Sequence, residues 1–550
     1  MVLSEEARIL LSGRYLLPGE SPEEMFSRVA AAIGTADEGR FRTMMSDMLF
    51  LPNSPTLMNA GLPGGQLSAC FVLPVGDSIE SIFMALKYMA LIHKSGGGTG
   101  FSFTHIRPRG DCVGQTAGVA SGPVSFIHVF DEATSALKQG GKRRGANMGV
   151  LASSHPDIRS FITAKQGGGL ANFNLSVGFD RHFFEALSRG KSYDLLNPRN
   201  GEVWDTRPAK DLWDALCQAA WQCGDPGVLF LDRINEGNAV PGLGLLEATN
   251  PCGEQPLLPY ESCNLGSVNL AALVSKNEMN FSGLSEVVRL GIRFLDGVID
   301  INAYPIPEIR HATLQTRKVG LGVMGLADAL IRMEIPYQSA EGLACTESIM
   351  RFIQEEAHAV SEELGREKGS FPAIDKSIYP GEMRNATVTT VAPTGSLHLI
   401  SGVSSGIEPL FSLAGTRAIN GHVIHSVHPA VERYLAPKYG GLSLLARVRR
   451  TGSVQDLPIP DHEKDLLRTA PEIDPEFHVR VQSSVQKYVD NAVSKTVNLP
   501  ESAGTIEISR VFLMARERGC KGITVYRYNS KADQVLSRGC EPCRVDSYEG

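Results

Sequence analysis

From about residue 50 to residue 520 the chain alternates apolar runs with Gly-rich or Pro-rich turns, and no repeat of fixed period or low-complexity linker interrupts that span. Ala69-Cys70-Phe71-Val72-Leu73-Pro74 reads as a strand, Ile79 to His93 carries apolar residues at a 3.6-residue period, and Gly100-Phe101-Ser102-Phe103 reads as the next strand. Strands alternating with helices predict a parallel α/β architecture, and the missing linker predicts one continuous domain over 51–528. Ahead of it, residues 5 to 48 have helical spacing, with Ser21-Pro22 as a cap and first turn, so 1–50 is expected to be a short helical region. Behind it, 529–550 is rich in Asn, Ser, Lys, Asp and Arg and is expected to be a flexible tail.

A formal charge of -7 over 550 residues offers no basic field for a nucleic acid polymer or an anionic membrane, so a locally bound nucleotide is the more plausible phosphate partner. No stretch reaches the roughly 18 to 20 uninterrupted apolar residues of a membrane span. The N-terminus places Glu5 and Glu6 where a signal peptide needs positive charge. A cytoplasmic location is expected. The ten cysteines are too sparse and irregular for a disulfide framework, so they are inert or working thiols. Cys540-Glu541-Pro542-Cys543 lies too near the end to open a thioredoxin fold and lacks enough neighbouring ligands for zinc, which leaves a mobile dithiol as its reading.

Asn250, Cys252 and Glu254 fall two apart in a stretch kept extended by Pro251 and Pro256. An extended backbone sends all three side chains off one face, so an amide, a thiol and a carboxylate converge on a small volume. The competing reading makes Cys252 a small buried hydrophobe and Glu254 a solvated loop charge. A cysteine-hydrolase nucleophile also fits the thiol, although the segment supplies no histidine partner.

Other motifs are less specific. Gly320-Leu321-Gly322-Val323-Met324-Gly325 matches a dinucleotide fingerprint, but the polar Gln315-Thr316-Arg317-Lys318 before it makes a poor buried strand, and a close-packed strand or helix start fits better. The run Ser95 to Gly100 is either a phosphate cradle or a tight turn. Pro393-Thr394-Gly395-Ser396 follows a β-branched run and suits either a phosphate site or a plain helix cap. Lys138 to Gly145 clusters four cations among three glycines, as a solvated loop or an adjustable nucleotide-sensing one.

Taken together, Leu67-Ser68-Ala69-Cys70, Asn250-Pro-Cys252-Gly-Glu254, Cys263, Gly320 to Leu326, Pro393 to Ser396 and Tyr526 resemble, in order and spacing, the catalytic chain of ribonucleotide reductases. The resemblance is strongest to the adenosylcobalamin-dependent class II enzymes. It implies a ten-stranded α/β barrel with a central finger loop, Cys252 as the thiyl radical that abstracts the 3′ hydrogen of a ribonucleoside diphosphate, Glu254 as base and Asn250 as orienting amide. It implies that Cys70 and Cys263 form the redox-active disulfide, that Cys540 and Cys543 exchange with a thioredoxin-like reductant, and that Ser54, Ala69, Gly98, Asn250, Pro393, Thr394, Gly395 and Ser396 surround the substrate. Asp77, Lys94, Arg107, Lys138 and Arg143 are implied in binding a dNTP or ATP specificity effector, and the chain is expected to be a homodimer. With only about 50 residues before Leu51, no ATP-cone domain and no overall switch there are expected. Class I chains carry two adjacent tyrosines near the C-terminus, whereas here Arg527 separates Tyr526 from Tyr528. The rivals are a class I large subunit needing a metal-radical partner and a catalytically silent nucleotide sensor.

Overall fold

A computed structural model of the chain describes residues 3–113, 118–137, 145–419, 422–439, 442–530 and 536–539. Its main sheet has ten strands: β1 (Phe50–Pro52), β2 (Cys70–Pro74), β3 (Gly98–Ser102), β4 (Asn147–Ala152), β5 (Phe173–Phe179), β6 (Gly227–Phe230), β9 (Ser262–Asn269), β10 (Val319–Met324), β13 (Thr496–Leu499) and β14 (Gly522–Arg527). Between them in the chain come β7 (Ala248–Thr249), β8 (Pro256–Leu257), β11 (Ala414–Ile419) and β12 (His422–Val427). The order is β1-β9-β2-β3-β4-β5-β6-β14-β13, with β10 on β9. From β2 to β6 every pairing is parallel. Two bridges close the ring: Leu321 of β10 pairs with Thr389, and Val391 pairs with Val493, three residues ahead of β13. The sheet is therefore a barrel, as the resemblance implied.

Strand alternation sorts the side chains. On β2, Cys70 and Val72 join Met148 and Val150 of β4 in an inner cluster, while Phe71 and Leu73 pack outward with Phe101, Leu151 and Phe173. The inner cluster is completed by Leu246, Ala248 and Leu257, which belong to no barrel strand but to the segment that enters the lumen. The N-terminal helix Pro22–Ile33 starts at a capping box between Ser21 and Glu24, and its Met25, Phe26 and Val29 share one core with Phe50, Leu51 and Phe294.

The helix Ile79–Lys94 buries Ile82, Ala85, Met89 and Ile92. Its other side exposes Ile79, Phe83 and Leu91, and the neighbouring helix Pro123–Leu137 exposes Val129 and Leu137. No described helix is long and apolar enough to cross a membrane.

Four histidines, His93, His155, His398 and His478, are held below the ordinary imidazole range, first of all by burial. For His93 and His398 the value is pushed down to about 4. The unfolded chain then binds more protons than the folded one, so this stabilisation is complete above about pH 6.5 and is lost as the pH falls toward about 4. The calorimetric unfolding midpoint is expected to hold from about pH 7 to 6.5 and to fall between about 6.5 and 4.5. A midpoint that stayed flat over the lower interval would contradict this.

Candidate active site in the barrel lumen

Strands β7 and β8 pair antiparallel, Ala248 opposite Leu257 and Thr249 opposite Pro256, and form a hairpin inside the barrel. The expected extended backbone over 250–254 is not what forms. Pro251 fixes one φ, Gly253 takes a left-handed φ of 83°, and the Gly253 amide donates to the Asn250 carbonyl at 3.1 Å. The Asn250 side-chain oxygen accepts from the Gln255 amide at 3.0 Å and closes the turn. Asn250 and Glu254 thus sit buried on the two legs of the hairpin, with Cys252 exposed at the apex. Convergence comes from folding back rather than from strand periodicity.

The hairpin lies against the wall at positions where no β-carbon fits. A β-carbon on Gly98 would stand 2.9 Å from Pro251 Cγ, and one on Gly100 only 1.7 Å from the Thr249 carbonyl oxygen. On the opposite side, one on Gly320 would reach Gln255 Nε2 at 2.6 Å, and one on Gly322 would meet the Thr390 carbonyl oxygen at 2.3 Å. The glycine-rich runs at 95–100 and 320–325 therefore serve close approach. The Glu254 carbonyl accepts from Thr390 Oγ1 and from the Ala492 amide, both at 2.9 Å, which ties the hairpin to the seam of the barrel.

Beside the hairpin, Cys70 of β2 and Cys263 of β9 stand directly opposite in an antiparallel pair, both buried. Opposite Cα atoms in such a pair are about 4.5–5.5 Å apart, within the range a disulfide spans. Asn250 Nδ2 donates to Cys70 Sγ at 3.1 Å, and Cys70 Sγ donates to Glu254 Oε1 at 3.9 Å. Burial pushes the Cys263 thiol well up; Lys318 pulls it down, and the Glu261 and Glu254 carboxylates add to the rise. Sequence reasoning missed the buried pair Lys318–Glu261, 2.7 Å apart, whose lysine carbonyl accepts from Cys263 Sγ at 3.5 Å. The signal was the polar run 315–318, discounted as unfit for burial. Arg317 is likewise buried, on Asp296 and Asp300 at 2.7 Å each.

Among the other expected site residues, Ala69 donates its amide to the Cys263 carbonyl at 3.1 Å, and its own carbonyl accepts from Gly98 at 2.9 Å. These two therefore border the dithiol. Ser54 opens the helix Ser54–Asn59 and bonds Tyr15 Oη at 2.8 Å. Pro393 to Ser396 form a turn leading into the helix Leu397–Ser401, with Thr394 at a φ of 47°, rare for a β-branched residue. Arg107 Nε bonds Asp77 at 2.8 Å, but Lys94 lies exposed at the far end of the helix Ile79–Lys94 and is not brought to that pair. A 16-residue helix separates them by about 24 Å. Lys138, Arg143, Cys540 and Cys543 lie outside the described residues.

A cavity of about 740 Å³ opens beside the helix Leu397–Ser401 that follows the Pro393–Ser396 turn. Its wall includes Val403, Leu410, Phe411 and Leu413, the histidines His398, His425 and His428, and Tyr526 of β14. Arg527 stacks instead over Trp221, 4.4 Å from the ring centre.

The family description "Ribonucleotide reductase, barrel domain" matches residues 68–382 and 376–526, and "Ribonucleotide reductase, all-alpha domain" matches 1–65. The chain is 52% identical over 509 residues to the vitamin B12-dependent ribonucleoside-diphosphate reductase of Thermoplasma acidophilum, covering 91% of this chain and 66% of that protein. To the protein of the same name from Mycobacterium tuberculosis H37Rv it is 47% identical over 559 residues, covering 97% of this chain and 79% of that protein. In structure it is similar to the class Id ribonucleotide reductase alpha subunit of Actinobacillus ureae, with a TM-score of 0.81, 24% identity, and 96% and 97% of the two chains covered.

The strand register carries a direct test. Mild oxidation of the full chain is expected to link Cys70 to Cys263, detected as one joined peptide pair by non-reducing mass mapping. Two thiols still free after oxidation would contradict the lumen geometry.

Proposed function

The chain belongs to the ribonucleotide reductase family, and on that premise we propose that it is a vitamin B12-dependent ribonucleoside-diphosphate reductase, which converts ribonucleoside diphosphates to 2′-deoxyribonucleoside diphosphates. The observation that carries this reading is the lumen constellation of an apical thiol, a buried carboxylate and a cross-strand dithiol whose Cys70 contacts the Asn250 amide. An ordinary cysteine nucleophile has no use for the second and third thiols.

Adenosylcobalamin, when bound, supplies the radical chemistry that activates Cys252. The cavity suits such a group, being lined by apolar side chains at Leu410, Phe411 and Leu413 and by polar ones at His425, His428 and Tyr526 that would hold it. With Cys252 as a thiyl radical, the apex takes the 3′ hydrogen of the ribose and later returns it. Glu254 accepts the proton of the 3′ hydroxyl, and Asn250 orients the hydroxyls. The 2′ hydroxyl leaves as water while Cys70 and Cys263 give up two electrons and two protons and join as a disulfide. The sum is one ribonucleotide and one dithiol converted to one deoxyribonucleotide, one disulfide and one water. The raised Cys263 thiol suits this step, because a buried thiol that stays protonated brings its proton along with its electron.

Ser54, Ala69, Gly98 and the 393–396 turn bind the substrate. Asp77, Lys94, Arg107, Lys138 and Arg143 serve a deoxynucleotide or ATP effector, and Cys540 and Cys543 pass electrons from a thioredoxin-like protein. The exposed stripe of Ile79, Phe83 and Leu91, beside Val129 and Leu137, supports a homodimer that covers it. Tyr526 on the cavity wall, with Arg527 turned onto Trp221, supports a chain that works without a radical-supplying second subunit.

The purified chain with adenosylcobalamin and dithiothreitol is expected to form dCDP from CDP, in preference to dCTP from CTP, with no other protein present. No turnover under those conditions would overturn the reading. Cys252→Ser is expected to lower kcat by at least about a thousandfold. Ser396→Ala is expected to weaken CDP binding about 3- to 10-fold through loss of one hydrogen bond.

A further inference from the structure

Thr394 is the residue of the 393–396 turn that the backbone treats most severely. Its left-handed φ of 47° is unfavourable for a β-branched side chain, so something outside the turn must hold it there. Two groups do so. Its hydroxyl accepts from the Gly406 amide at 2.9 Å, and its carbonyl accepts twice from His398, from the backbone amide at 3.0 Å and from Nδ1 at 2.9 Å. The imidazole therefore donates its Nδ1 proton to the strained residue, while the ring forms part of the cavity wall.

Burial pushes His398 down to about 4; the bond to Thr394 acts against that, Arg417 adds to it and Asp328 opposes it. The ring is neutral throughout the neutral range, and its one proton is the one given to Thr394. The next residue, Gly395, has open space where a side chain would stand, so the turn's backbone is accessible just where the His398 clamp ends.

We propose that His398 is a positioning residue for the substrate, fixing the Thr394 carbonyl and with it the 393–396 turn from the cavity side. This rests on the reading of that turn as part of the substrate site. The two nitrogens of the ring make the claim separable. Asparagine places its amide NH₂ near where Nδ1 stands, and glutamine places its amide near Nε2. A role through Nδ1 is therefore rescued by asparagine and not by glutamine.

The test is equilibrium binding of CDP by calorimetry to the full chain and its variants, with steady-state CDP reduction alongside. His398→Asn is expected to bind CDP within about twofold of the unsubstituted chain. His398→Gln and His398→Leu are expected to bind about 5- to 20-fold more weakly, the loss appearing in KM with kcat changed less than about threefold. Should His398→Leu fail to fold, the Asn and Gln pair decides alone. CDP binding that is equal in His398→Asn and His398→Gln overturns the proposal. Ser396→Ala separates the underlying reading: if it leaves CDP binding unchanged, the turn is not a substrate site. If it weakens binding while His398→Gln does not, the turn stands and the positioning role falls.

Discussion

The molecule depends on one steric fact: a hairpin enters the barrel because the wall offers it backbone instead of side chains. The Thr249 carbonyl could not lie where it does if residue 100 had a β-carbon, and the Thr390 carbonyl, on the segment that holds the hairpin, makes the same demand of residue 322. Once inside, the hairpin is fixed by polar contacts to the seam, from Thr390 and Ala492 to the Glu254 carbonyl. The apolar residues Leu246, Ala248 and Leu257 supply the area that keeps it in the lumen. Everything chemical in the site follows from this insertion, because it alone brings Asn250 and Glu254 to Cys70.

The electrostatics of the lumen follow from the same enclosure. A buried ion pair, Lys318–Glu261, stands next to a cysteine whose thiol burial drives upward. Such a pair contributes little net stability after its desolvation cost, but removing one partner would leave a bare charge beside Cys263. It also fixes the junction where β9 and β10 begin to pair, since Thr316, Lys318 and the Leu258 amide all converge on Glu261.

Much of this was legible in the sequence, unevenly. Alternating strands and helices announced the α/β class, and the order of motifs carried the barrel and its finger. The glycine-rich 320–325 segment was rightly read as close-packed, although the polar approach read as unfit for burial is itself largely buried. The conformation of 250–254 was misread, since two prolines argue for extension only when no glycine between them can reverse the chain. The opposition of Cys70 and Cys263 was implied by family likeness alone; no spacing rule predicts which distant strands will be neighbours. Lys94 shows the converse limit, near its expected partners in sequence and a helix length away from them in space.

The glycines of the lumen wall have one further consequence. Gly98, Gly100, Gly320 and Gly322 have no side chain that can bind, ionise or react, yet each is a position where one added methyl group meets the hairpin or the segment that holds it. The site is thus encoded partly as a mould, and its most restrictive positions are those where the sequence specifies empty volume. Scored only by the chemistry of its side chains, such a protein would look tolerant at the very places where an added side chain has least room.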